Sequence, residues 1–248
     1  MELILPDDLI SFNLFTSTHP IEVDLSYANA QHPENLFGQI YHPKARMWGH
    51  IDLVTLTLFA ALILRKNHNW TLVVKDCLRP IEAQQKMIET DIVRTHPHWL
   101  EEPRFLSSPG QGGHPRGMAV DIAAKDANGH DIDFGTAFDA FSDRPDAENN
   151  PAHREYVNLA PSIKSNRECL NQAMAISASR MGKELVFLST EWWDFRFTAE
   201  WISKFEPISD VRLEQWQKMV SAPIPIPEDK AKDIHLRVFD RLDKLGDF

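Results

Sequence analysis

Basic runs, cysteine pairs and long apolar stretches are missing from this 248-residue chain, and each absence narrows what it can be. Lysine and arginine number 26 against 36 aspartates and glutamates, a formal net charge of −10. With no basic run against that balance, nucleic acid and anionic membrane surfaces are poor partners. The only two cysteines, Cys77 and Cys169, build no disulfide framework, and neither sits in a Cys-x-x-Cys pair. The longest apolar run, Leu53 to Leu64, is too short to cross a bilayer and reads as a buried helix. Met1 to Phe15 lacks a cationic n-region and places Asp7 and Asp8 ahead of its apolar residues. A signal peptide is therefore not expected, and a cytoplasmic location is. Glycine is scarce too: ten in all, four of which (Gly110, Gly112, Gly113 and Gly117) crowd into one window. What is present, 43% apolar and 25% charged residues, excludes the disordered and collagen-like classes.

The chain contains no internal repeat and no low-complexity block. The segment from Asp24 to Ala28 reads as strand or extended, followed by a loop rich in Pro, His and Asn to about His42. Residues 50–65 are apolar on nearly all faces, as in a core helix, with Asn67 and Asn69 ending it. Trp70 to Lys75 is a β-branched run expected as a buried strand, and Ile81 to Val93 a helix entered through Pro80. A strand is expected from Met118, a helix over 165–182, and a strand from Leu185 to Thr190 that Glu191 to Phe197 continues. Pro223, Pro225 and Pro227 mark a stiff linker. Beyond it, Ile234, Val238, Leu242 and Leu245 line one face of an amphipathic helix. Strands and helices do not alternate as βαβ units, so the expected class is α+β, a small antiparallel sheet flanked by helices. The expected division is a main domain over 1–220 and a linker with C-terminal helix over 221–248.

Three segments carry residues suited to chemistry. In His114-Pro-Arg-Gly-Met-Ala-Val-Asp121, an imidazole in a glycine-rich turn and a carboxylate on the next strand can meet at one divalent cation. Spacing alone more readily describes a turn His and a strand-closing Asp. In Glu191-Trp-Trp-Asp194 the two acids lie on opposite faces of a regular strand and share a site only if the backbone bends. The plain alternative is an acidic edge flanking two core tryptophans. In Lys75-Asp-Cys-Leu-Arg-Pro80, Arg79 stands at a strand-to-helix turn, where a guanidinium can reach a cleft or simply cap the turn.

Together with Asp24-Leu-Ser-Tyr-Ala28, Asn35-Leu-Phe-Gly38 and Phe138-Asp139, these segments follow one another in a known order. From about residue 20 to 200 the chain resembles the D-alanyl-D-alanine dipeptidases of the vancomycin-resistance type, zinc peptidases of the wider D,D-peptidase group. The resemblance implies that fold and metal-dependent hydrolysis of a small D-amino-acid dipeptide. It implies His114 and Asp121 as metal ligands, Glu191 as general base and acid, and Arg79 as the oxyanion-stabilising residue. It further implies that Asp139 receives the substrate's amino terminus and that Tyr27 belongs to the active site.

Two positions depart from that pattern. Asp194 stands where the family has its third ligand, a histidine, and Gly112 stands where it has a serine. Asp194 as third ligand makes Mn²⁺ or Fe²⁺ more competitive with Zn²⁺, because carboxylates favour harder ions. It also leaves open a metal-free binding protein that kept the fold, while Gly112 and the C-terminal helix leave open a peptidase acting on another peptidoglycan-derived peptide. His153, in an expected loop, is not placed by sequence to replace the missing ligand.

Overall fold

A computed structural model describes residues 1–246. In chain order its strands and helices are β1 (Leu9–Ser11), β2 (Ile21–Val23), β3 (Trp48–His50), α1 (Ile51–His68), β4 (Thr71–Asp76), α2 (Ile81–Ile88) and α3 (Asp91–Thr95). There follow β5 (Ala119–Lys125), α4 (Pro161–Arg180), β6 (Leu185–Phe187), β7 (Asp194–Phe197), α5 (Ala199–Ile202) and α6 (Glu228–Asp243). A five-stranded sheet in the order β2-β4-β5-β7-β6 forms the centre, and β1 pairs with β3 in a separate ribbon. The class is α+β. The main sheet is antiparallel except at one edge, where β2 runs parallel to β4.

The core gathers around α1. Its residues from Ile51 to Ala61 are all buried, and it packs against β4, α4, α6 and the β1–β3 ribbon, which accounts for its lack of a polar face. The His50 ring caps its start by accepting from the Asp52 amide at 3.3 Å. Asn69, in the left-handed region at φ 56°, ends it. Thr57, enclosed in this apolar setting, satisfies its hydroxyl by donating to the Leu53 carbonyl at 2.8 Å. On α6 the apolar stripe predicted from sequence lies against α1, with Ile234, Val238 and Leu242 buried.

Three local expectations change. The Asp24 segment is not a strand: β2 ends at Val23 and Ser26–Ala28 forms a 3₁₀ turn. The single helix expected over 81–93 is divided at Thr90, whose backbone is extended and whose hydroxyl donates to the Met87 carbonyl at 2.8 Å, ending the first segment. The strand from Leu185 does not continue through Phe197. The chain reverses after Phe187, and β7 returns antiparallel to β6, Phe187 facing Phe195. Arg154 holds this reversal from outside, donating to the carbonyls of Leu188 at 2.9 Å and Asp194 at 2.6 Å.

Candidate active site

Asp76, Asp121 and Asp194 occupy matching positions on three adjacent strands, Asp76 opposite Asp121 and Asp121 opposite Asp194. An uninterrupted β4–β5 register would set Lys75 against Asp121. An extra residue between Val74 and Asp76 shifts the pairing and brings the carboxylate there instead. Lys75 turns the other way and binds Asp24 at 2.7 Å together with Glu34. Like charges placed opposite one another across a sheet oppose folding, so this row needs cations.

His114 reaches the row from the 3₁₀ turn His114–Arg116 just before β5. Gly117 makes this approach feasible. Its φ is 61°, its carbonyl accepts from the His50 amide at 2.8 Å, and a Cβ there would lie 2.9 Å from the His50 nitrogen. The His114 Nδ1 donates to the Cys77 carbonyl at 2.8 Å, and the Arg79 amide donates to the His114 carbonyl at 2.9 Å. With its proton fixed on Nδ1, the ring turns the lone pair of Nε2 to the carboxylates. Nε2 lies 3.5 Å from Asp121 Oδ2 and 3.4 Å from Asp194 Oδ2. Donor atoms arranged tetrahedrally around an ion at about 2.0–2.2 Å stand about 3.3–3.6 Å apart, so the spacing of His114 Nε2 from each carboxylate suits a shared divalent cation. Asp76 lies close enough to His114 and Asp121 to form a metal-binding group with them, and it is also held from the protein side. Arg79 donates to Oδ2 from Nε at 2.8 Å, and Tyr41 donates to Oδ1 at 2.6 Å.

Glu191 enters the same cleft because residues 188–193 form the reversal rather than a strand. The two acids that a straight strand would separate are thereby brought to one site. Trp192 and Trp193, both buried, hold the turn. Trp192 stacks on Phe134 at 4.4 Å between ring centroids and donates from Nε1 to the Thr136 hydroxyl at 2.8 Å. Trp193 meets Phe138 edge-on at 5.6 Å. These contacts also fasten the loop that presents Asp139, which accepts a hydrogen bond from the Tyr27 hydroxyl and has a left-handed backbone, φ 58°.

Electrostatics divide these acids. Burial, then the neighbouring Asp194 charge, pushes the Glu191 carboxyl up to about 8. Burial likewise lifts Asp139 to about 7, with the Tyr27 hydrogen bond opposing it. Asp121 is raised well above the ordinary range by burial and by the charges of Asp194 and Asp76. Burial would raise Asp194 as well, but the Arg196 guanidinium beside it holds it well below that range. Arg196 Nε donates to Asp194 Oδ1 at 2.6 Å, and Nη2 pairs with Oδ2. Two buried carboxylate oxygens, Asp121 Oδ1 and Glu191 Oε1, have no hydrogen-bond partner among the described residues. An acceptor left bare in a buried cleft is costly, and a bound cation with its water would satisfy both.

All seven residues singled out from the sequence (Tyr27, Arg79, His114, Asp121, Asp139, Glu191 and Asp194) line one narrow cleft. His153 does not line it; its ring accepts from the Glu155 amide at 3.0 Å. Sequence reasoning missed Asp76 and Arg196. The first was hidden by the bulge, whereas the second carried a signal, since residues two apart on a strand share a face. A larger hollow near Leu3, Leu5 and Leu213 is apolar, and its two charged neighbours, Glu206 and Arg212, pair with each other at 3.1 Å. A second acid–histidine cluster, Asp24, His32 and Glu34, already holds the Lys75 ammonium as its cation.

A profile of the family described as D-ala-D-ala dipeptidase matches residues 12–211. The chain is 27% identical over 176 residues to the D-alanyl-D-alanine dipeptidase of Escherichia coli, an overlap covering 71% of this chain and 78% of the relative.

Proposed function

This chain belongs to the D-Ala-D-Ala dipeptidase family of peptidases, and from that membership we propose that it hydrolyses a small D-amino-acid dipeptide of the D-Ala-D-Ala type in a metal-dependent reaction. The observation that carries the reading is the convergence of His114, Asp121 and Asp194 beside Glu191, whose buried Oε1 has no hydrogen-bond partner among the described residues. His114, Asp121 and Asp194 would hold the ion, Zn²⁺ in the first instance, with Mn²⁺ or Fe²⁺ admitted by the second carboxylate. Such an ion supplies Lewis acidity, polarising the peptide carbonyl and making water acidic enough to attack near neutral pH.

The side chains do the rest. Glu191, held near neutrality by its surroundings, takes the proton from the attacking water and returns it to the leaving amine. Arg79, anchored by Asp76 and facing the cleft, stabilises the negative charge that develops on the carbonyl oxygen. Asp139 binds the free ammonium of the dipeptide, and Tyr27 holds Asp139 in place by donating to it. Free dipeptide inside the cytoplasm is the substrate this reading calls for. No helix among the described residues is long and apolar enough to cross a membrane.

A second reading, a peptidase for a longer or bulkier peptidoglycan-derived peptide, is favoured by one observation. A hollow lined by Val186, Phe197 and Ile202 adjoins the cleft and shares Gly112 and Arg196 with it. One experiment separates the readings. Protein stripped by a chelator is reloaded with Zn²⁺, Mn²⁺ or Fe²⁺ and assayed on D-Ala-D-Ala, L-Ala-L-Ala and longer peptides ending in D-Ala. Metal-restored cleavage of D-Ala-D-Ala alone is expected. Preference for the longer peptides would favour the second reading, and no metal uptake with no turnover would leave only a binding protein.

A further inference from the structure

We propose that Asp194 and Arg196 act as one unit, the guanidinium cancelling the carboxylate's charge so that the pair stands in for a single neutral donor at the metal site. This deepens the metal-site reading above and rests on it.

Three observations support the unit. Arg196 grips both oxygens of Asp194, Nε on Oδ1 at 2.6 Å and Nη2 on Oδ2. Each carboxylate oxygen has a second lone pair, so Oδ2 remains open to an ion while Arg196 holds the group in plane. The grip is also built into the sheet. Residues 194 and 196 share a face of β7, and Arg196 lies opposite Ala119 of β5, whose small side chain leaves the guanidinium room. Finally, Arg79 is held by Asp76 at 2.6 Å and reaches Asp121 at 3.8 Å, whereas the guanidinium paired with Asp194 is that of Arg196. Arg196 is thus the cation available to offset Asp194 when a metal binds.

The consequence is an ordering. With a divalent ion in place, Asp121, Asp194 and Arg196 leave the centre one net positive charge. Asp194→His alone leaves two, because Arg196 then faces the metal unpaired. Arg196→Gln alone leaves none, and the double substitution restores one. Ions bind more tightly as the surrounding charge becomes more negative. Zinc affinity should therefore fall in the order Arg196→Gln, then wild type and the double variant together, then Asp194→His.

The test compares the two single variants and the double variant as full-length proteins, stripped of metal and titrated with Zn²⁺ in competition with a chelating indicator. Arg196→Gln is expected to tighten binding, and Asp194→His to weaken it, each by about tenfold or more. The double variant should return to within about threefold of wild type, because it restores the net charge of the centre. Asp194→His binding Zn²⁺ as tightly as wild type, or a double variant no better than Asp194→His, overturns the proposal. Should Asp194→His fail to fold, Arg196→Lys decides: it keeps the charge and should bind like wild type, whereas behaviour like Arg196→Gln overturns the unit. Failure of this inference leaves wild-type metal binding intact. A wild-type protein that takes up no Zn²⁺, Mn²⁺ or Fe²⁺ overturns the site reading along with it.

Discussion

Glu191 and Asp194, three residues apart, show how far environment separates chemically similar groups. Both are buried, yet Glu191 is lifted to about 8 by burial and by its neighbour's charge, whereas the Arg196 pair keeps Asp194 ionised. A carboxyl near neutrality can both accept and return a proton, which a low one cannot do efficiently. Glu191→Gln keeps the shape and removes that capacity. It should lower kcat by about 10²–10⁴-fold, the usual range for a general base, while elemental analysis finds metal content unchanged. Loss of metal together with turnover would instead make Glu191 part of the ion's holding. The residue types at this scale were readable from the chain: His114, Asp121 and Glu191 were identified by motif, and the structure brings them to one cleft. The Asp194–Arg196 grip was not identified, because a strand's facing pairs have meaning only once the strand's limits are known.

Among elements, the connection from the His114 turn into β5 governs the site. Gly117 adopts a left-handed conformation and packs against the backbone of Gly49 and His50, with no room for a methyl group. Gly117→Ala combines a strained φ with collision against main chain rather than a movable side chain. It should destabilise the fold by about 2–4 kcal/mol, measured by urea unfolding, and weaken metal binding by displacing His114 relative to Asp121. Gly129→Ala, also at positive φ but with open space around it, should cost only the conformational part, about 1 kcal/mol. Equal losses in the two variants would show that the contact with Gly49 and His50 is unimportant. The glycine cluster was visible in the sequence as a sign of unusual backbone. Which of its members is sterically locked depended on the β3 ribbon packing beneath it.

For the whole molecule, Asp52 links three elements. It lies buried in the first turn of α1, where it pairs with Lys183 just beyond α4 at 2.7 Å and with Arg241 of α6 at 2.6 Å. Burial alone would raise its carboxyl, but the hydrogen bond from Lys183, the nearby His50 and the bond from Arg241 bring it below its ordinary value of 3.8. The pairing therefore stabilises the fold fully above that value, and the contribution is lost as pH falls below it through the lower folded value. Asp52→Asn should cost about 1–2 kcal/mol at pH 7, a range reduced for the partly exposed partners. In urea unfolding, the difference from wild type should shrink progressively as pH falls below 3.8. A difference that stays constant with pH would mean that Asp52 acts by packing alone.

The sequence by itself determined the α+β class, the buried α1, the amphipathic stripe of α6 and the order of the motifs. Hydrophobic periodicity and motif spacing are local properties, written within a few turns or strand residues. The tertiary structure decided which charges meet. An extra residue in β4 sets Asp76 rather than Lys75 opposite Asp121, and a chain reversal after Phe187 brings Glu191 and Asp194 into one cleft. Register across a sheet depends on where bulges and turns fall. A shift of one residue moves every side chain to the other face, so no periodicity within a single strand encodes it.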